Sequence, residues 1–210
     1  MAFLPGQKIR SRSVDFFENG YLDSAIDDAA YNLRLGDEVF LSTDGGPRLL
    51  SDNDPFVVIK PGDFALLKTY ETIKLPRDKI GFITLRNTLK MHGLMNVSGF
   101  HVDPGFRGRL MFSVVNVGPN DITIRYQEKL FMLFIAELET ATTIDEVKHR
   151  HQGQDKFSLE DMIAIRGRSA TLVHIEKRIG ELESSVKVYG ALVAGVLIAL
   201  FALVVRLLLK

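Results

Sequence analysis

Short apolar runs separated by turn-forming residues dominate the first 155 positions of the 210-residue chain. Clusters such as Asp44-Gly45-Gly46-Pro47 and Asp103-Pro104-Gly105 mark the turns. Apolar runs of about four to nine residues at this spacing are typical of the strands of a barrel or sandwich. The predicted strands are 55–59, 64–67, 80–85, 109–117, 122–126 and 130–137. With one short helix expected at 13–19, the pattern predicts a mainly β domain over residues 1–155.

The pattern changes near the C-terminus, where positions 188–205 are 18 consecutive uncharged residues with Tyr189 as the only polar one. A helix of about 20 apolar residues spans a bilayer, and Lys187, Arg206 and Lys210 suit its two interfaces. The alternative, a buried core helix of this length, would show a polar face, and this segment shows none. The sequence therefore predicts a single-pass transmembrane helix over residues 188–210.

Apolar residues spaced alternately three and four apart lead into this segment. They are Leu172, Ile175, Ile179, Leu182, Val186, Tyr189, Val193, Val196, Leu200, Leu203 and Leu207. This a/d spacing predicts a coiled-coil linker over residues 156–187, and Gly190/Ala194 and Ala191/Gly195 permit close helix contact in the span. Self-association is favoured over packing on the β domain because the register continues unbroken into the membrane segment. The seam does not set the number of helices.

The start of the chain bears on which side of the membrane the β domain occupies. Its apolar patch, Ala2-Phe3-Leu4, is broken by Pro5-Gly6 and is too short for the core of a signal peptide. The β domain is therefore expected to be cytoplasmic. Positive charges flank both ends of the span, so charge counting alone does not set its orientation.

Composition excludes several classes of site. Lys+Arg and Asp+Glu are 26 each, so a nucleic-acid binder with a basic excess is not expected. The chain has no Cys, which excludes disulfides, thiolate zinc sites, iron–sulfur clusters and cysteine nucleophiles. There is no phosphate-binding P-loop, HExxH or Gly-x-Ser-x-Gly motif. A solvated basic loop is favoured over a metal site at His149 and His151, so no protein metal site is expected.

A series of motifs in the β domain is more specific. It comprises Tyr31-Asn32-Leu33-Arg34-Leu35-Gly36, Ile59-Lys60-Pro61-Gly62-Asp63, Thr69-Tyr70-Glu71-Thr72, Arg86-Asn87-Thr88-Leu89 with His92-Gly93-Leu94, His101-Val102-Asp103-Pro104-Gly105-Phe106-Arg107-Gly108 with Asn116, and His151-Gln152-Gly153-Gln154. In order and spacing this series resembles the dCTP deaminase branch of the dUTPase superfamily. The resemblance covers residues 10–155, and the membrane helix lies outside it.

The resemblance implies a distorted, mostly antiparallel β-barrel that assembles as a homotrimer with active sites between subunits. It also implies deamination without zinc, by a glutamate that activates water as general base and then acid. In the family pattern Gly-x-Ile-x-Leu-Glu, the glutamate position falls on Ser113 of this chain. A serine hydroxyl does not take a proton from water near neutral pH without a base beside it. The replacement bases nearest by motif position are His101 and Glu128.

Other departures from the family pattern also indicate the loss of family site residues. The Arg-Ser-Ser phosphate loop reads Arg86-Asn87-Thr88, and the arginine that follows it falls on Met91. The aspartate of Tyr-Asp-Leu has become Asn32. The late Gly-x-x-Ile-x-Gln-Leu motif reads Gln127-Glu128-Lys129-Leu130-Phe131-Met132-Leu133 and loses its glycine and glutamine. The glycine-rich closing arm of dUTPases is missing.

The residues that match the family define a candidate site. Asp103 matches the water-binding aspartate of dUTPases and is the candidate catalytic residue, although an Asp-Pro-Gly turn needs no ligand. Arg86 is favoured as a phosphate or anion group over a structural ion pair. The candidate nucleotide-binding residues are Arg86, Asn87, Thr88, His92, Asp103, Gln152 and Gln154. Mg²⁺ is expected only as the companion of a nucleotide triphosphate in an active protein.

Three functions are consistent with these features. The favoured hypothesis is a catalytically degenerate trimer in a membrane that binds a nucleotide or nucleotide-like signal and acts through its transmembrane bundle, with antiviral defence as one setting. The second is an active dCTP deaminase or dUTP diphosphatase tethered to the membrane. The third is a structural membrane scaffold without a ligand, which Arg86 and the Gln152/Gln154 tail disfavour.

Overall fold

The computed structural model describes residues 2–142, 152–166 and 172–209. The chain divides into two compact units, Met1–Ser169 and Ala170–Lys210. We call the first unit the head. The strap, which we define as residues 152–166, belongs to the head, and it crosses the predicted boundary at residue 155.

The head is built mainly from strands. Its elements are β1 (Ala2–Phe3), α1 (Gly6–Ser11), α2 (Ser13–Phe16), β2 (Phe17–Asn19), a 3₁₀ turn (Asp23–Ala25), β3 (Tyr31–Leu41), β4 (Arg48–Leu49), β5 (Phe56–Ile59), β6 (Phe64–Lys74), β7 (Lys79–Leu85), α3 (Asn87–Met91), β8 (Leu94–Asn96), β9 (His101–Val102), β10 (Arg107–Asn116), β11 (Ile122–Arg125), β12 (Lys129–Glu137) and α4 (Leu159–Ala164). The predicted mainly β architecture is thereby confirmed.

One curled antiparallel sheet forms the body of the head as a half-barrel. Its strand order is β8-β10-β6-β3-β12-β7-β9, with β1, β2 and β4 added on β12, β6 and β3. Strands β5 and β11 form a separate two-stranded sheet. The apolar faces of the strands line one core, in which Phe112 of β10 stacks on Phe131 of β12 with ring centroids 3.7 Å apart. This packing places β10 and β6 side by side in the wall that carries the candidate site.

Of the elements that the sequence predicted, two differ most from the prediction. The helix expected at 13–19 ends at Phe16, because Phe17 and Asn19 pair with Ile73 and Thr72 of β6 as a strand. Strand β6 extends beyond the predicted 64–67 because polar residues in its second half are buried and paired rather than exposed. Pairing between distant segments outweighs the local pattern at both positions.

The second unit is the helix α5 (Leu172–Leu208), with 37 residues. At about 1.5 Å per residue it is roughly 55 Å long, more than the thickness of the bilayer hydrocarbon core. The segment Arg178–Leu208 is long and apolar enough to cross a membrane. The predicted coiled-coil pairing of this helix stays a prediction.

Candidate functional site

A cavity of about 480 Å³ lies between β10 and the strap. Three predicted site residues line it together: Asp103, Ser113 and Gln154. Apolar side chains, among them Phe106 and Phe112, form much of the remaining wall. A concave, largely apolar site with a few polar groups is typical of small-molecule binding.

Asp103 enters the cavity from a tight turn after β9. The turn is closed by the Phe106 N–H, which donates to the Asp103 carbonyl at 3.1 Å, and Gly105 adopts a positive φ of 81°. The Asp103 carboxylate lies beside His101, with Oδ1 3.3 Å from the imidazole Nε2, and both side chains are partly exposed. The turn therefore has a structural role, and it also brings an imidazole and a carboxylate together at the cavity.

Ser113 lies in the middle of β10 and contributes to the cavity wall. Its carbonyl accepts a hydrogen bond from the Val97 N–H at 2.8 Å, which continues the sheet. Among the described residues that line the cavity, the carboxylates belong to Asp103 and Asp161, and none is a glutamate. The predicted site for the catalytic base therefore presents a hydroxyl.

Of the two replacement bases that the motifs suggest, the structure places only His101 at the cavity. Glu128 lies in the turn between β11 and β12, where its Oε2 accepts a hydrogen bond from the Arg125 N–H at 2.8 Å. It does not line the cavity with Asp103. Motif order suggested both residues because it does not specify which loop folds over which strand.

Four other predicted nucleotide-binding residues lie around α3 and not in the cavity of the same chain. Asn87, Thr88 and His92 are exposed at the surface. The Arg86 N–H donates to the Leu130 carbonyl at 2.8 Å, which fixes the backbone at the start of the helix. Within the described part of the chain, the Arg86 guanidinium has no ion-pair partner. The candidate residues thus form two separate groups in one chain.

Gln152 and Gln154 belong to the strap, which pairs with the beginning of β10. The Gly153 N–H donates to the Arg107 carbonyl at 2.8 Å, and the Arg109 N–H donates to the Gln154 carbonyl at 3.3 Å. The Gln152 side chain accepts from the Arg107 N–H and donates to the Gly105 carbonyl. Gln152 therefore connects the strap to the Asp103 turn by hydrogen bonds. Gln154 is the strap residue that first lines the cavity.

A charged network that the sequence analysis missed holds the same segment. Lys68 is 4% exposed, and its Nζ donates to the Asp155 carbonyl at 2.7 Å and to Glu38 Oε2 at 3.1 Å. Arg109 contacts Asp37 at 2.6 Å and Asp155 at 3.6 Å. Burial opposes ionisation of Asp37, but Lys68 and Arg109 outweigh it and hold its pKa below the ordinary value. Lys68 gave no signal in the sequence because a lysine after an apolar run usually marks the exposed end of a strand.

The apolar anchor of the strap is Phe157. Its buried side chain packs with Phe40 and Leu66 in a cluster separate from the main core, and Met111 and Met162 lie against this cluster. Ser158 then caps α4 by accepting the Asp161 N–H at 3.0 Å. The strap thus covers one side of the cavity and is held by both polar and apolar contacts.

The residues that the structure describes contain no group of three or more His, Asp or Glu side chains placed to hold a metal ion. His149 and His151, considered above as a metal pair, lie outside the described residues.

The chain was also compared with known proteins. A model of the dCTP deaminase-like family matches residues 3–138, about two thirds of the chain. The chain belongs to the dCTP deaminase-like family. A dCTP deaminase of Pyrococcus abyssi is 28% identical over 156 residues, which cover 74% of this chain and 96% of that protein. A dCTP deaminase of Pyrococcus furiosus is 31% identical over 136 residues, which cover 65% of this chain and 83% of that protein.

The fold is also that of the family. A crystal structure of 2'-deoxycytidine 5'-triphosphate deaminase from Agrobacterium tumefaciens superposes with a TM-score of 0.53 at 16% identity. The superposition covers 63% of this chain and 48% of that chain. The match to the family model ends at residue 138. The strap and α5 of this dCTP deaminase-like protein therefore lie beyond the residues that match the family model.

Proposed function

We propose that this protein is a membrane-anchored, trimeric dCTP deaminase-like protein that binds a nucleotide or nucleotide-like signal without deaminating it and acts through its transmembrane helices. A role as a membrane effector in antiviral defence is consistent with a protein of this kind. The observation that carries the proposal is Ser113. It lies in the wall of the cavity, and the resemblance to the family implies that the glutamate position falls on it.

The cavity supports binding more strongly than it supports deamination. The Ser113 hydroxyl and the Gln154 amide offer donors and acceptors, and aromatic walls provide apolar contact, as nucleobase sites require. A serine hydroxyl without an adjacent base is not ionised near pH 7 and does not activate water by itself. The cavity therefore retains groups that can bind a ligand, and it lacks the family's group for deamination.

Phosphate binding requires cations from outside the cavity wall. Among the described residues that line it, Arg109 is the one permanent cation, and it is already paired with Asp37 and Asp155. Arg86 and the exposed residues around α3 are the candidate phosphate-binding residues. They reach a bound nucleotide only if a second copy of the chain supplies them, which agrees with the trimer and the intersubunit sites that the family resemblance implies. Mg²⁺ would arrive with the phosphates, since the described residues offer no cluster of ligands for it.

A phenylalanine cluster on the outer face of the sheet supports assembly. Phe82 of β7 pairs across the sheet with Phe134 of β12, and the Phe3 ring lies 5.8 Å from Phe82 and 6.3 Å from Phe134, between centroids. Phe100 stacks on Phe82 at 6.4 Å. Phe3 and Phe100 are 54% and 65% exposed. A contiguous aromatic surface of this kind is typical of a protein interface, and we assign it to a second copy of this chain.

Replacing both Phe3 and Phe100 by Glu is expected to weaken assembly of the full chain in detergent. Charged side chains at the centre of an apolar interface should raise the concentration for half-dissociation by at least about tenfold. Light scattering across a dilution series measures this concentration. Val14→Glu, at an exposed position outside the cluster, is the control and should leave it unchanged. Equal dissociation of the double variant and the wild type would contradict the assignment.

A second function is favoured by one specific observation. His101 and Asp103 are 3.3 Å apart at the cavity, and an imidazole oriented by a carboxylate is a general base for water. Such a pair supports hydrolysis of a phosphoanhydride bond, as in a dUTP diphosphatase, without the missing glutamate. The two functions share a ligand site and differ in turnover.

The deciding experiment incubates the purified full chain in detergent with Mg²⁺ and each deoxynucleoside triphosphate, and separates the products by chromatography. We expect no conversion of dCTP or dUTP, together with a higher Tm in the presence of the bound nucleotide. Formation of dUTP or dUMP that is abolished by Asp103→Asn and His101→Gln would replace the proposal with the hydrolytic or deaminating alternative. Neither turnover nor a Tm shift with any of the nucleotides would favour the scaffold.

A further inference from the structure

The part of α5 that precedes the uncharged segment is a charged helix with one apolar stripe. Four of its charged residues are Arg178, Glu181, Glu183 and Lys187. Because charges are costly in the hydrocarbon core of a bilayer, residues 172–187 stand in water, over roughly 24 Å of helix. The stripe consists of Ile175, Ile179, Leu182 and Val186, which are between 43% and 69% exposed.

This stripe and two of the charges are without a partner in the single chain. An apolar stripe exposed to water is typical of a protein interface, and lipid covers the helix only where it enters the hydrocarbon core. Among the residues that the structure describes, neither Arg178 nor Glu183 makes an ion pair. A protein surface that covers the stripe and carries complementary charges beside it would therefore match this face of α5.

A second copy of α5 is such a surface. The heptad a positions of the stripe are Ile179 and Val186, and its d positions are Ile175 and Leu182. This register puts Arg178 at g and Glu183 at e. In a parallel coiled coil, a g residue lies beside the e residue of the following heptad on the neighbouring helix, and opposite charges there set the partner and its orientation. Within one helix the two residues are not three or four positions apart, so they are not neighbours.

The same register continues into the membrane without an opposing charge. The next g and e positions are Ser185 and Gly190, and both are uncharged. The Ser185 hydroxyl donates to the Glu181 carbonyl at 2.9 Å, so it needs no partner on another helix. A single pass through the membrane gives all copies of an anchored chain the same orientation, as parallel pairing requires. The arrangement of charges and small residues therefore fits a parallel neighbour along this whole part of the helix.

We propose that residues 175–189 of α5 form a parallel zipper with the same segment of a second copy of the chain, and that Arg178 of one copy pairs with Glu183 of the other. The proposal rests on the membrane anchor of the proposed function, because the anchor gives the copies one orientation. It goes beyond that function by assigning an interface that lies outside both the head and the bilayer.

Disulfide crosslinking of the full chain in phosphatidylcholine vesicles tests the zipper, because the wild-type sequence has no Cys. Leu182→Cys places a thiol at a d position, where the same residue of two parallel copies meets across the seam. Ser184→Cys, at an f position on the other side of the helix, is the matched control, and both positions are exposed in the single chain. Since a disulfide requires Cβ atoms about 4 Å apart, position 182 should crosslink at least about tenfold faster under a mild oxidant. Equal rates at the two positions would overturn the proposal.

Charge reversal in the Leu182→Cys background tests the ion pair. Arg178→Glu or Glu183→Arg alone sets like charges against each other, and either should slow crosslinking by roughly threefold. The two reversals together restore opposite charges and should restore the original rate. Glu181→Arg, which makes the same change of charge at a c position, is the control and should leave the rate unchanged. Single reversals without effect, or a double variant without recovery, would overturn the pairing of Arg178 with Glu183.

The anchor and the zipper are measured separately on the same variants. Alkaline carbonate extraction reports the anchor, because an embedded protein stays in the membrane fraction. Retention together with faster crosslinking at position 182 supports both. Retention with equal crosslinking at positions 182 and 184 would overturn the zipper and leave the proposed function intact. Release of the chain would refute the anchor on which the zipper rests, and so it would overturn both.

Discussion

Glu71→Gln is expected to lower the free energy of unfolding of the head by about 3–5 kcal/mol, the usual cost of breaking a buried ion pair from one side. Glu71 is fully buried, and its carboxylate accepts the Arg34 Nε–H at 2.7 Å and the Arg34 backbone N–H at 2.9 Å. Burial raises the pKa of Glu71, and the donors of Arg34 act against that rise. The glutamine keeps the shape of the side chain and removes the charge that balances the buried guanidinium. Urea unfolding of the full chain, followed by circular dichroism, measures the change.

The matched control is Glu18→Gln. Glu18 also pairs with an arginine, Arg107, but both side chains are accessible to solvent. Water and salt screen such a pair, so its loss should change the unfolding midpoint far less than the loss of Glu71 does. Similar midpoints for the two variants would show that the Glu71–Arg34 pair does not stabilise the fold.

The second large effect concerns the membrane. Val196→Lys with Leu200→Lys places two charges near the centre of the uncharged segment 188–205. Each charge at the middle of a membrane helix costs about 2.5–3.5 kcal/mol of insertion free energy, so the double variant should lose roughly 5–7 kcal/mol. We expect the wild type to stay in the membrane fraction after alkaline carbonate extraction and the double variant to be released.

Ile179→Lys with Leu182→Lys is the control for added charge. Both positions are exposed on α5 and precede the uncharged segment, so the same two substitutions there should leave the protein in the membrane. Release of this control together with the central variant would indicate that the helix binds through its whole length rather than through residues 188–205. Release of the wild type would refute the anchor.

Local patterns in the sequence predicted the features that depend on local chemistry. The apolar runs at 80–85 and 122–126 correspond closely to β7 and β11, because each strand alternates buried and more exposed residues within its own length. The Asp103-Pro104-Gly105 turn likewise depends on residues within a few positions of one another. Strand β3 was not predicted, since Asn32, Arg34 and Glu38 interrupt its apolar pattern.

The site was predicted only in part, because it depends on contacts between residues that are distant in the sequence. Motif matching selected Asp103, Ser113 and Gln154, which the structure brings to one cavity. It also grouped them with Arg86 and His92, which lie elsewhere in the same chain. It missed Lys68 and Phe157, which hold the strap through contacts with residues far away in the sequence. No local pattern distinguishes a buried, paired lysine from an exposed one.

The sequence by itself determined the family, the mainly β class and the apolar C-terminal helix, and it predicted that the family's glutamate position falls on Ser113. Each of these depends on residue identity and on short-range periodicity, which are read directly from the chain. Only the tertiary structure decided that Glu71 and Lys68 are buried, that His101 and not Glu128 accompanies Asp103, and that the strap covers the cavity. These features arise from pairing between segments distant in the chain, where burial and hydrogen bonding outweigh the local preference of each residue.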